Sequence, residues 1–160
     1  MVAGTRGALI GCCALALALT LSACGSQHPP AEVVPPPAAA FGAALCDPDV
    51  SAGRVPDGFA PVTAYLCEDE MLAPAPGAGA ALPSPSEGPL TGDLDPLLAA
   101  LAASSDPPWP GPCTADMMIV PQVWLVDADD NAIRVAPPVT GCGKPKWDPI
   151  AAALENLRTS

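Results

Sequence analysis
The sequence predicts a small single-domain α+β fold, laid out as two strand-pair/helix halves, stapled by two disulfides and preceded by a disordered proline-rich linker. Three observations lead there. Two Asp-Pro steps each open an apolar helix face, and a short apolar strand run lies ahead of each. Four cysteines fall in the stretch able to pack. The 23 prolines cluster instead of spreading evenly, and so divide the chain.

The chain starts with one basic residue, Arg6, and a mostly apolar run from Ala8 to Leu21. That run delivers Leu21-Ser22-Ala23-Cys24 and then the small residues Gly25 and Ser26. A bilayer crossing takes about 20 apolar residues, so the run is too short for a span and has the layout of a cleaved signal. An ordinary signal peptidase needs small residues one and three positions before its cut; Leu21 is wrong for that enzyme and right for the lipoprotein one. Residues 1–23 are therefore expected to be removed as a lipoprotein signal peptide. Cys24 is expected to be acylated on sulfur, tying the chain to the outer face of the cytoplasmic membrane. Residues 24–45, the lipidated cysteine and a Pro/Ala-rich stretch, read as an extended linker. At about 3.1 Å per residue it would hold a domain up to roughly 60 Å from the membrane.

The domain is expected over residues 46–158. Val62 to Cys67, after Pro61, reads as the first strand, and its partner would fall near Met71 to Leu82. Residues 73–92 are too rich in Pro, Gly and Ser for a strand interior and read as a flexible low-complexity insertion. Leu94, Leu97, Leu98 and Leu101 then recur at the spacing of one helix face, with Asp95 as N-cap and Pro96 at the first helical position. Ile119 to Val126 reads as the next strand, and its Val123-Trp124-Leu125-Val126 core is apolar enough for a central one. The turn Asp127-Ala128-Asp129-Asp130-Asn131 returns the chain into Ala132 to Val135, which Pro137 would end. Asp148-Pro149 opens the last helix, whose apolar face is Ile150, Ala153, Leu154 and Leu157.

Cysteine arithmetic points the same way. Without the leader, which carries Cys12 and Cys13, five cysteines remain. If lipid takes Cys24, an even set of Cys46, Cys67, Cys113 and Cys142 is left for two disulfides in an oxidising compartment. Four cysteines allow three pairings, among which sequence does not choose. Cys46 with Cys67 and Cys113 with Cys142 is favoured because each closes a loop of roughly 20 to 30 residues, worth about 3 kcal/mol. No pair has the two-to-four residue spacing of a zinc site, and no Cys-x-x-Cys redox motif remains after the leader.

Composition excludes further classes. Seventeen acidic residues against the five basic ones left after Arg6 give about twelve net negative charges, a surface that repels nucleic acid. The single histidine, His28, lies in the linker, so a serine or cysteine nucleophile has no obvious base. Asp127, Asp129 and Asn131 imitate the start of a calcium loop, but Ala132 stands where its glycine belongs and Pro138 where its glutamate belongs; a turn is the better reading. Gly141-Cys142-Gly143-Lys144 lacks the remainder of a phosphate loop and reads as a disulfide-pinned turn. Lys144 and Lys146 form the one basic spot, read as a solvated helix lead-in. Glu68-Asp69-Glu70 reads as solvent-facing turn material. Trp124 is placed in the core, with Trp109 and Trp147 as lids beside proline-rich turns.

The run Cys113-Thr114-Ala115-Asp116-Met117, then Pro121-Gln122-Val123-Trp124-Leu125-Val126-Asp127-Ala128, Ile133-Arg134 and Cys142-Gly143-Lys144-Pro145 resembles a family of small uncharacterised secreted or lipid-anchored actinobacterial proteins. Gly58-Phe59-Ala60-Pro61-Val62 to Cys67 resembles its first half. Asp130 stands where that pattern often has glycine. The resemblance implies a fold and a location and brings no activity. The reading that follows is a non-enzymatic lipid-anchored envelope protein with no cofactor and no metal. It acts as a binding or scaffolding module toward an envelope protein partner. The alternative is a secreted protease inhibitor presenting a rigid loop such as Thr114 to Pro121.

Overall fold
The computed structural model describes residues 28–35, 45–47, 49–67, 85–86 and 88–160. Its elements are β1 (Pro61–Cys67), α1 (Asp95–Leu101), β2 (Gln122–Asp127), β3 (Ala132–Val135) and α2 (Trp147–Arg158). The three strands form one antiparallel sheet in the order β1-β2-β3. The domain is therefore α+β, as the strand and helix periods require.

Why β2 is central follows from its sequence. A strand covered on both faces has no polar face, and Val123 to Val126 are all buried. Val123 and Leu125 point to one side, where Ala64, Leu66, Ile133 and Val135 join Leu94, Leu97 and Leu101 of the α1 region and Ile150, Ala153, Leu154 and Leu157 of α2. Trp124 and Val126 point to the other, where Leu45, Cys46, Val50, Cys67 and Ala132 form a smaller cluster beside Tyr65 and Val34. The two helices pack on each other as well as on the sheet. The Cys46–Cys67 disulfide, with Cα atoms 5.5 Å apart, closes the smaller cluster; Cys113–Cys142 spans 5.7 Å between Cα atoms elsewhere. These are the two pairings favoured by loop size, and they indicate an oxidising, extracytoplasmic environment.

Several local expectations need correction. The partner expected for β1 near residues 71–82 lies outside the described residues; what the outer edge of β1 meets among the described ones is Ser86 and Leu90: Ala64 and Leu90 exchange both backbone hydrogen bonds at 2.9 Å, and the Ser86 N–H donates to the Leu66 carbonyl at 2.8 Å. The end of the supposed flexible insertion thus lines the outer edge of β1, with Leu90 buried. β2 starts at Gln122, three residues after Ile119, because Gln122 already pairs with Cys67, the last residue of β1. Pro121 before it has no N–H to give. The caps differ too. Leu94 and Lys146 occupy the N-cap positions without side-chain bonds, and it is Asp93 whose carboxylate accepts the Asp95 N–H, at 3.0 Å.

The stretch read as an extended linker is engaged over its described part. Val34 and Ala132 exchange hydrogen bonds of 2.8 and 2.9 Å, the Ala31 N–H donates to the Arg54 carbonyl at 2.8 Å, and Gly53 joins the same edge of β3. Ala31 and Leu45 are buried. The physical reason is edge chemistry: β3 presents an unpaired row of backbone groups, and a proline-punctuated chain still offers the donors and acceptors of its other residues.

The β2–β3 turn is held by the carboxylate of its first residue, Asp127. One Asp127 carboxylate oxygen accepts the N–H groups of Asp129 and Asn131, each at 2.9 Å, and the other accepts the Asn131 side-chain amide at 2.9 Å. These bonds, the Asn131 side chain first, hold the Asp127 carboxyl below its usual range. Asp130 sits at φ 62°, in the left-handed region where Asp and Asn are the best tolerated residues after glycine. The Asp130→Val variant is expected to lose about 1–2 kcal/mol in urea unfolding, since a β-branched residue is strained there, whereas Asp130→Gly retains stability.

Candidate functional site
The segment from Ser104 to Pro121, between α1 and β2, carries no helix or strand, yet it is fixed at many points. The Asp106 N–H donates to the Val139 carbonyl and the Trp109 N–H to the Gly141 carbonyl, both at 2.8 Å. Ser105 Oγ accepts the Val139 N–H at 3.0 Å. Gly141 is required by this approach, because a Cβ there would lie 2.7 Å from the Pro107 carbonyl oxygen. The Cys113–Cys142 disulfide then crosslinks the segment to the turn before α2. That turn is itself set by Thr140: its N–H donates to the Lys144 carbonyl and its carbonyl accepts the Gly143 N–H, both at 2.8 Å, with Gly143 at φ 77°.

The two lysines complete the clamp. Lys144 Nζ donates to Thr114 Oγ1 at 2.9 Å and to Asp116 Oδ2, while Lys146 Nζ donates to the Ser104 carbonyl at 2.9 Å and to Asp106. Read from the sequence as a solvated helix lead-in, this basic spot is an internal tie. The hydrogen bond from Lys144, then that from Thr114, lowers the Asp116 carboxyl to about 2. A depressed carboxyl contributes fully above its unfolded value near 4 and loses its contribution as the pH falls through about 2, so the Lys144–Asp116 tie is in place at any neutral or mildly acidic pH.

Beyond the tie the chain is bare. Residues 112–119 are all exposed, and Met117 is 72% exposed, Met118 50% and Ile119 43%. Trp109, with its ring over Gly111, is 61% exposed. Of the six large apolar side chains exposed among the described residues, four belong to this one segment. Exposed apolar side chains on a segment fixed by a crosslink and two ion pairs make it the candidate site. What such an arrangement can do chemically is present a fixed, exposed apolar loop to a partner's groove.

The other candidates fall elsewhere. Cys24 and Glu68-Asp69-Glu70 lie outside the described residues. Trp124 is in the smaller core cluster and Trp147 packs on the larger one. His28 lines a cleft of about 370 Å³ with Arg54, Asp57, Leu98, Leu101 and Ser104. No helix among the described residues is long and apolar enough to cross a membrane. No protein family model, no curated protein and no solved structure matches this chain. Sequence reasoning took Ile119 into the strand and missed that Met117 to Ile119 stand free. The usable signal was Pro121, which separates those residues from a register that β1 can satisfy.

Proposed function
We propose that the protein is a non-enzymatic, lipid-anchored binding module of the cell envelope. Its binding element is the exposed segment from Cys113 to Pro121, and its partner class is a secreted serine protease with an apolar specificity pocket. The observation that carries the reading is the combination of exposed apolar side chains with fixation on both sides: disulfide and Lys144 tie before Met117, sheet register after Pro121. A loop already fixed by covalent and ionic ties loses little conformational freedom when it enters a protease cleft. Met117 and Met118 supply flexible apolar side chains suited to such a pocket. The lipoprotein-type signal over residues 1–23, directly before Cys24, supports the anchor, and the disulfides support a location outside the cytoplasm.

Titration against subtilisin-like and chymotrypsin-like enzymes with a chromogenic peptide tests this. Inhibition below micromolar concentration is expected, weakened at least 100-fold by Met117→Asp and unchanged by Val62→Asp, an exposed position on β1. Absence of inhibition at micromolar concentration overturns the protease assignment and returns the segment to an envelope scaffolding role.

A further inference from the structure
We infer that the protein does not stand off the membrane on a stalk: the face around His28 and the neighbouring cleft rests on the bilayer. The inference rests on the lipid anchor at Cys24 and deepens it by naming the surface that meets lipid. Its basis is how the chain is held at its first described residues. The Arg54 N–H donates to the Pro29 carbonyl at 2.9 Å, and the Ala31 N–H to the Arg54 carbonyl at 2.8 Å. At Gly53 a Cβ would lie 2.4 Å from the Ala31 nitrogen, so the two backbones are in direct contact. Only four residue steps separate Cys24 from His28, and at no more than 3.6 Å per residue they span at most about 14 Å.

A domain of about 100 residues has a radius of gyration near 13 Å and is therefore roughly 34 Å across, so this tether is shorter than the body it holds. The domain therefore cannot turn over, and only the surface from which the tether leaves can face lipid. That surface is the cleft lined by His28, Arg54, Val55, Leu98, Leu101 and Ala102. Its charges are locally balanced, Arg54 by Asp57 and, beside Ser104, Lys146 by Asp106. On a chain with so large an acidic excess, a balanced face is the one that approaches phospholipid headgroups without repulsion. His28 shares its cleft with Ala136 and Pro138, just after β3, and β3 ends opposite the start of β2 at the Val123–Val135 pair. The binding segment enters β2 at that same end of the sheet, so the partner is met within the layer next to the membrane.

The test uses the chain beginning at Cys24, in which the other four cysteines are bridged, so the Cys24 thiol alone reacts with a maleimide phospholipid in phosphatidylcholine/phosphatidylglycerol vesicles. Amide exchange over residues 55–58 and 102–105 is expected to slow several-fold relative to the free chain, and to recover when a long Gly-Ser spacer is inserted between Cys24 and His28. Equal exchange in tethered and free chain, or protection that survives the spacer, overturns the inference. Intact mass of the native protein reads the natural acylation separately. Because the chemical conjugate carries lipid regardless, failure of the anchor and failure of the face are told apart.

Discussion
Mild reduction opens Cys113–Cys142 while Cys46–Cys67 stays closed. Thiol exchange requires the attacking thiolate to reach a sulfur. Cys113 and Cys142 are both exposed, whereas Cys46 is 4% and Cys67 1% exposed under the smaller core cluster. Opening the exposed bridge, whose cysteines are 29 residues apart, relieves an unfolded-state constraint worth about 3–4 kcal/mol. Locally it leaves the segment held by solvent-accessible ion pairs, which contribute little to stability. The binding segment should therefore loosen while the sheet persists. Alkylation and peptide mapping after limited reduction should place label on Cys113 and Cys142 first. Protease inhibition should fall by tenfold or more with far-ultraviolet circular dichroism unchanged. Label appearing first on Cys46 or Cys67, or full inhibition by the reduced form, would contradict this.

The second large effect lies in the core. Trp124 is fully buried in a cluster with few members, so Trp124→Ala leaves a cavity that the Cys46–Cys67 crosslink keeps from collapsing. A loss of about 3–5 kcal/mol is expected, a large share of the stability of an ordinary small domain. Trp124→Phe should behave differently. The indole N–H meets no acceptor among the described residues, and a buried donor left unpaired costs about 1–3 kcal/mol. Removing it offsets part of the lost packing, so the phenylalanine variant should remain within about 1 kcal/mol of the parent. Urea unfolding of both variants checks the contrast; equal losses would show that the N–H is satisfied.

These effects also indicate which parts of the structure the sequence made legible. The helix faces were readable because Leu94, Leu97 and Leu101, and Ile150, Ala153, Leu154 and Leu157, carry one period each, and β2 because burial on both faces leaves no alternation to hide. The strand edges were not. Whether Leu90 lies along β1, or Val34 along β3, depends on which backbone groups the sheet leaves unpaired, and no side-chain pattern in a proline-rich stretch records that. The binding segment was half legible. Its crosslink followed from cysteine spacing, and Thr114 to Pro121 stood out as a loop, but the Lys144–Asp116 tie joins residues 28 apart and has no local signature.

The central claim is that the exposed segment behaves as a fixed ligand for a protease and not as an ordinary exposed loop. Prolonged incubation of the protein with a catalytic amount of a subtilisin-like enzyme, followed by mass mapping, tests it most directly. A fixed ligand gives a single nick between Thr114 and Ile119, with the two halves held together by Cys113–Cys142 and inhibition retained. Progressive digestion beginning in that segment, with no inhibited enzyme at any time, would contradict the account.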